Sequence, residues 1–156
     1  MLTPWYVTGL CDGEAAFTFS RAEGTVALYF GIKQREDNQQ IIEKIREYFH
    51  HVGNVYRNKE SNPTKNSGFS HASAYYRVTK INELKVIVDH FDKYPLQSKK
   101  KQEAYQVWRQ MVRYKLDNYR NIDYNELRVL AERLSSLNTQ SRSFSRLATP
   151  VKAGSR

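Results

Sequence analysis

The sequence predicts an α+β domain over residues 1–138, followed by a basic tail over residues 139–156. Apolar residues alternate with a period of two in short segments and with a helical period between them. As a result, a strand–strand–helix unit occurs twice, over residues 15–52 and 53–94. A chain of 156 residues with 40% hydrophobic content is also long enough to bury one substantial core.

The first predicted helix precedes these two units. It begins at Thr3 and Pro4, a capping residue followed by a proline in the first turn. We expect it to end near Gly13, which can adopt the left-handed conformation that terminates helices. Two carboxylates, Asp12 and Glu14, lie at this carbonyl end, where negative charge is unfavourable. The pattern therefore predicts a cation nearby.

The first unit combines two strands with a helix. The aromatic residues Phe17 and Phe19 alternate with small or polar residues over 15–21, and an alternation of apolar residues follows over 25–35 at positions 26, 28, 30 and 32. This pattern predicts two half-buried strands joined near residues 23–24. Asp37 and Gln40 have capping-box spacing and predict the start of a helix that Gly53 closes. The apolar face of this helix consists of Ile41, Ile42, Ile45, Tyr48 and Phe49.

The second unit repeats this arrangement. Strands over 54–59 and 73–78 flank a polar loop over 60–71, and the following helix stops before Pro95. Its apolar face consists of Leu84, Ile87, Val88 and Phe91. Two later stripes at helical spacing predict extra C-terminal helices that pack on the core. They consist of Ala104, Val107, Trp108 and Met111, and of Leu127, Leu130, Ala131, Leu134 and Leu137. The tail lacks periodicity, and we expect it to be flexible.

Strand alternation divides the predicted sheet into two faces. The apolar positions Phe17, Phe19, Leu28, Phe30, Ile32 and Val55 should face the helices. The opposite face is polar and moderately basic and contains Thr18, Ser20, Ala27, Tyr29, Gly31, Lys33, Arg35, Tyr56, Asn58, Ser73, Tyr75 and Arg77. Such residues can read base edges in a major groove, or can simply form the solvated side of an antiparallel sheet.

The overall charge favours a polyanionic partner. The net charge is +9, and the tail contributes Arg142, Arg146, Lys152 and Arg156 to it. No segment approaches the ~18 apolar residues that a membrane span requires. The single cysteine excludes an internal disulfide, and the first residues lack the pattern of a signal peptide. We therefore expect an intracellular protein, of a bacterial cytoplasm or an organelle. The four histidines lack zinc-ligand spacing and are predicted to be surface residues.

Residues 7–15, Val-Thr-Gly-Leu-Cys-Asp-Gly-Glu-Ala, resemble the motif of the LAGLIDADG homing endonucleases. Two other stretches support the resemblance: residues 94–100, similar to the family's aromatic-Pro-Leu stretch ending in lysines, and residues 31–34 at the end of the second strand. The resemblance implies an αββαββα core with an antiparallel DNA-binding sheet. Two positions depart from the motif, since Ala15 replaces the usual glycine and Cys11 the usual Ile or Val.

The resemblance also implies roles for individual residues. Glu14, in the eighth motif position, would bind magnesium (Mg²⁺) or another divalent cation such as manganese (Mn²⁺), together with the backbone carbonyl of Ala15. Lys99 and Gln34 would complete the catalytic set. The motif helix would form a dimer interface through Tyr6, Gly9, Leu10 and Gly13. In the alternative interpretation, Asp12 is the metal ligand and Glu14 merely ends the helix.

One motif per chain implies a homodimer that cuts both strands of a pseudo-palindromic target. Because a strand of about eight residues spans roughly 26 Å, the target would be near 20 base pairs. The sequence therefore predicts a site-specific, metal-dependent DNA endonuclease of the intron-homing type. Two alternatives stay open: a maturase that binds intron RNA to assist splicing, and a non-catalytic DNA-binding regulator on the same scaffold.

Overall fold

The order of the elements confirms the predicted α+β class and its repeated strand–strand–helix unit. The structure is a computed structural model that describes residues 1–22, 25–65 and 68–138. In order, the elements are α1 (Pro4–Glu14), β1 (Ala15–Ala22), β2 (Thr25–Arg35), α2 (Gln39–Tyr48), β3 (Asn54–Asn58), β4 (Ser73–Val78), α3 (Ile81–Lys93), α4 (Lys99–Asp117) and α5 (Tyr124–Leu137). The predicted tail and the tip of the β1–β2 turn lie outside the described residues.

The four strands form one antiparallel sheet in the order β1-β2-β4-β3. The long strand β2 pairs with β1 at its start and with β4 at its end. Ala15 lies opposite Ile32, and Gly31 lies opposite both Ala16 and Arg77. This register confirms the predicted division into two faces, because residues paired across strands point to the same side.

The inner face of the sheet packs against the helices and forms the core. Phe17 lies at its centre and makes edge contacts with the rings of Phe91, Tyr105 and Trp108 at centroid separations of 5.2–5.3 Å. The indole nitrogen of Trp108 also donates a hydrogen bond to the carbonyl of Thr18, at 3.1 Å. The residues of the two C-terminal stripes are buried or half-buried, which confirms that α4 and α5 belong to the core.

The start of α1 agrees with the sequence prediction, whereas its end differs. Thr3 accepts a hydrogen bond from the backbone N–H of Tyr6 at 3.2 Å, so it caps the helix as predicted. Gly13, however, lies inside the helix, and α1 continues to Glu14. The backbone of Ala15 is already extended, at φ −82° and ψ 152°, so the chain enters β1 directly and needs no left-handed residue.

Both ends of α2 also differ from the prediction. A short 3₁₀ turn over Glu36–Asn38 precedes the helix, and its N-cap residue, Asn38, makes no side-chain capping bond, so the predicted capping box is wrong. The helix ends at Tyr48, and the left-handed turn is made by His50 and His51, at φ 58° and 61°. Gly53 is required just before β3, where its backbone packs closely against β4. A Cβ atom at this position would lie 2.5 Å from the carbonyl oxygen of Arg77.

Candidate active site and outer sheet face

The two carboxylates of α1 have different surroundings, and Asp12 is bound within the subunit. Its carboxylate accepts hydrogen bonds from the backbone N–H groups of Gln97 and Ser98, at 3.0 and 2.9 Å, and from the hydroxyl of Ser98, at 2.6 Å. Asp12 therefore caps α4. Partial desolvation raises the pKa of Asp12, but the bonds from Ser98 and Gln97 outweigh it, and the pKa lies below its usual value. With its oxygens engaged in this way, Asp12 is a poor candidate for a metal ligand.

Among the described residues, Glu14 has no such partners, and it is exposed. It is the last residue of α1 and immediately precedes β1, so both the helix end and the sheet edge fix its position. Earlier residues of α1, namely Val7, Thr8 and Cys11, are buried in the core. The helix is therefore anchored in the core while its terminal carboxylate faces outward.

The cation that the two carboxylates predict is Lys101. Its ammonium group donates a hydrogen bond to the carbonyl oxygen of Ala15. Burial lowers the pKa of Lys101, and the negative charges of Asp12 and Glu14 act in the opposite direction. Lys99, the lysine assigned from the sequence, is the first residue of α4 and is exposed. Of these two lysines, Lys101 is the one that contacts the motif.

Gln34 lies at the same end of the strands as Ala15, the last residue of the motif. It is paired with Ala74 and follows Ile32, the partner of Ala15, by two residues. Its side chain is half-buried and has the parity of the helix-facing positions. Glu14, Lys101 and Gln34 therefore lie at the junction of α1, α4 and the sheet.

The residues at this junction suit a magnesium ion better than a metal enclosed by protein. Within residues 1–22, 25–65 and 68–138, no three His, Cys, Asp or Glu side chains lie close enough to hold a metal together. Mg²⁺ needs only one or two carboxylates, with water and phosphate oxygens as its remaining ligands. The exposed carboxylate of Glu14 meets this requirement. The carbonyl of Ala15 has a second lone pair beside the one that Lys101 uses.

The surface of α1 at Gly9 and Gly13 is open within the described chain. Apart from the helix's own backbone and the adjacent residues, no described atom lies within 4 Å of the positions that Cβ atoms would occupy there. On the same helix, Tyr6 is 50% exposed, Trp5 is 55% exposed and makes an edge contact with the ring of Tyr94, and Leu10 is half-buried against the core. The residues predicted for a dimer interface are therefore accessible to a second helix.

A buried histidine, which the sequence prediction placed on the surface, is hydrogen-bonded to the buried side of α1. His90 is 7% exposed and contacts Thr8 and Tyr48, at 3.0 Å each. The hydroxyl of Thr8 donates to the carbonyl of Tyr94, at 2.8 Å, so its oxygen accepts from the Nε2–H of His90. This tautomer leaves Nδ1 to accept from Tyr48. Burial lowers the pKa of His90 to about 4, which keeps this chain of hydrogen bonds intact at neutral pH.

The outer face of the sheet carries all the residues predicted to bind DNA, but to different depths. Lys33, Arg35, Tyr56 and Asn58 are exposed, whereas Ser20, Tyr29, Tyr75 and Arg77 are half-buried. Thr18 and Ser73 are buried, as is the backbone of Gly31, so these residues lie at the bottom of this face. The sequence could not separate these groups, because alternation gives the side of the sheet and not the depth.

Comparison with protein families agrees with the observed architecture. A sequence model of the family described as "LAGLIDADG endonuclease" matches residues 7–112. A curated relative from Podospora anserina, named "Uncharacterized 50.9 kDa protein in ND4 intron 1", is 26% identical over 111 residues. That match covers 65% of this chain and 22% of the relative, so the chain spans about a fifth of its length.

Several solved structures share the fold. The chain resembles the meganuclease I-AabMI bound to uncleaved DNA, with a TM-score of 0.63 and 27% identity over 87% of this chain and 43% of that one. The fold of I-TnaI, described as a homing endonuclease, matches with a TM-score of 0.67 and 23% identity over 89% of this chain and 97% of that one. The chain spans about half of the I-AabMI chain and nearly all of the I-TnaI chain. None of the described helices is long and apolar enough to cross a membrane.

Proposed function

Because the chain belongs to the LAGLIDADG endonuclease family, we propose that it is a site-specific homing endonuclease that cleaves double-stranded DNA with Mg²⁺ or Mn²⁺. The observation that carries this proposal is the contrast within the motif: Asp12 is consumed by capping α4, and Glu14 is free at the edge of a polar, basic sheet face. I-AabMI, which shares this architecture, was solved on uncleaved DNA.

The chemistry requires a reactive water and stabilisation of charge on the phosphate. A bound divalent ion would supply a more acidic water and neutralise developing charge. Glu14 would hold this ion through its carboxylate, and the carbonyl of Ala15 offers a second oxygen. Lys101 is positioned by its bond to that carbonyl to stabilise negative charge on the phosphate. Gln34 would orient water at the edge of β2.

Assembly as a homodimer completes the proposal. One Glu14 serves one DNA strand, so two subunits related by a twofold axis would cut both strands of a pseudo-palindromic target near 20 base pairs. The open helix face at Gly9 and Gly13 permits close approach of a second α1. The name of the curated relative, which places that protein in an intron, supports the intron-homing role.

A cleavage selection from random sequences tests the enzymatic proposal. Plasmids that carry randomised inverted repeats of roughly 20 base pairs would be incubated with the protein and Mg²⁺, and the linearised molecules sequenced. We expect double-strand cuts in a small set of related sequences, lost on chelation with EDTA and restored by Mg²⁺ or Mn²⁺. Selective binding without cutting would instead identify a non-catalytic regulator, and cutting in EDTA would refute the metal requirement.

The assembly proposal has its own test at Gly9. A leucine there would occupy the space between the two helices, so Gly9→Leu should be folded but monomeric by light scattering, whereas the wild type should be dimeric. The matched control is Gly68→Leu, since Gly68 also has open space at its Cβ position but lies in the β3–β4 loop. A wild-type chain that is monomeric both free and on DNA, yet cuts both strands, would contradict the homodimer.

A further inference from the structure

The centre of the outer sheet face contains an arginine whose guanidinium lies over an aromatic ring. The guanidinium carbon of Arg77, on β4, lies 3.8 Å from the ring centroid of Tyr29, on β2. Both residues are half-buried. Stacking of this kind fixes the plane of the guanidinium and leaves its N–H edge directed away from the ring.

A second tyrosine supports this arrangement. Tyr75 lies two residues before Arg77 on the same face, and its hydroxyl would be 2.7 Å from a Cβ atom at Gly31. Gly31 therefore makes room for the ring of Tyr75. Burial, followed by the neighbouring Tyr29, raises the pKa of Tyr75. We call Tyr29, Gly31 and Tyr75 the tyrosine platform.

The guanidinium on this platform lacks an internal acceptor. Among the described residues, no carboxylate forms a salt bridge with Arg77, and its Nε atom is buried without a hydrogen-bond partner. By contrast, Arg35 on the same face lies 3.8 Å from Asp37, and Arg109 is bonded to Asp92. A fixed guanidinium without a partner is arranged to bind an external acceptor.

The position of Arg77 distinguishes a base from a phosphate. β4 is an inner strand, flanked by β2 and β3, so Arg77 lies away from the rim of the sheet. When a sheet occupies the major groove, its centre faces the base edges and its rim faces the phosphates. The O6 and N7 atoms of guanine match the forked N–H edge of arginine.

On this basis we propose that Arg77, held by the tyrosine platform, reads one guanine in each half of the DNA target. The inference rests on the proposed function. Arg77 shares a row across the sheet with Gly31 and Ala16, and Ala16 follows Glu14 by two residues. Two strand spacings of about 4.8 Å separate Arg77 from Ala16, so the guanine lies within roughly three base pairs of the cut.

Binding selections in EDTA test this inference independently of cleavage. Randomised duplexes bound by the wild type, Arg77→Lys and Tyr29→Leu would be sequenced. We expect the wild type to prefer guanine at one symmetric pair of positions near the centre, by about tenfold to a hundredfold. Arg77→Lys keeps the positive charge but loses the paired N–H donors of the guanidinium. It should therefore lose the guanine preference, while its affinity for the randomised duplexes stays within about tenfold of the wild type. Tyr29→Leu should also lose the guanine preference although Arg77 is still present, because the ring that positions the guanidinium is gone.

Two controls make the outcomes decisive. Arg120→Lys and Tyr119→Leu make the same chemical changes in an arginine–tyrosine pair that lies after α4, outside the sheet, and both should leave the guanine preference unchanged. If Arg77→Lys weakens all sequences equally, Arg77 contacts a phosphate and the inference is wrong. If the wild type selects a sequence and Arg77→Lys keeps the same guanine, only this inference fails. Absence of any sequence selection by the wild type would overturn the proposed function as well.

Discussion

The eleven residues of α1 fall into two groups with opposite surroundings, an inward group bonded within the subunit and an outward group that is exposed. On the inward side, Thr8 bonds to His90, and Asp12 caps α4. On the outward side, Gly9 has no neighbour within 4 Å of its Cβ position, and Glu14 is exposed. The difference divides the motif into inward residues that hold the domain together and outward residues that remain available for the proposed second helix, metal and DNA.

The largest expected effect is loss of cleavage in Glu14→Gln. The amide keeps the shape but binds a divalent ion poorly, so the rate of DNA cutting should fall on the order of 10³-fold. DNA affinity measured in EDTA should stay within about tenfold of the wild type. Asp12→Asn is the matched inward control and should retain cutting in the folded protein. The reverse pattern, with Asp12→Asn inactive and Glu14→Gln active, would exchange the roles of the two acids.

Acidification should weaken the inward side through His90. Its pKa in the folded protein is about 4, below the usual 6.5, so the unfolded chain binds the proton more readily between these values. The stabilising contribution is therefore fully present above pH 6.5 and is lost as the pH falls towards 4, by about 3 kcal/mol in total.

The variant His90→Gln isolates this contribution, because carboxylates also titrate in the same range. The amide can still donate to Thr8 but takes up no proton. Urea unfolding of both proteins between pH 7 and pH 4 should show a smaller decrease for His90→Gln. Parallel curves would show that His90 does not keep its depressed pKa in solution.

Lys99 and Lys101, both at the start of α4, are expected to differ in their effect on cleavage. Lys101→Met removes the cation bonded to Ala15, and we expect cleavage to slow about 100-fold. Lys99→Met changes an exposed side chain two residues away and should slow the chemical step far less. Single-turnover rates at saturating protein separate this effect from binding. If Lys99→Met is the slower variant, the sequence-based assignment of the catalytic lysine is correct.

The smallest effect should be loss of the α4 cap in Asp12→Ala. This change leaves the backbone N–H groups of Gln97 and Ser98 to water and should lower the free energy of unfolding by about 1–2 kcal/mol. Asp12→Asn keeps an acceptor at the same place and should fall between the wild type and Asp12→Ala in denaturant midpoint. Equal stability of all three proteins would mean that the cap contributes nothing measurable.

Local patterns predicted most of the fold, because strand alternation and helical stripes record which residues face a core. They predicted the two faces of the sheet and the cap at Thr3. They failed where tertiary contacts decide: His50 and His51 form the turn that Gly53 was expected to make, since Gly53 is required against β4 instead.

The candidate site could be predicted less completely, because three consecutive lysines look equivalent in sequence. On a helix they point about 100° apart, and only the phase of α4, set by the cap at Asp12, directs Lys101 to Ala15. His90 was missed for a related reason. Its partners Thr8 and Tyr48 are 82 and 42 residues away, so no local pattern signals their contact.

The exposure of Trp5 gives the protein an intrinsic optical signal of assembly. The chain has two tryptophans: Trp5 on α1, which is 55% exposed although its ring contacts Tyr94, and Trp108, which is fully buried in the core. An indole in water emits at longer wavelength than one in an apolar environment, so covering Trp5 with a second α1 should shift the emission to the blue. Trp108 stays in the same surroundings and acts as an internal reference. Titrating the unlabelled protein would therefore report helix pairing directly, and Trp5→Phe would remove the signal.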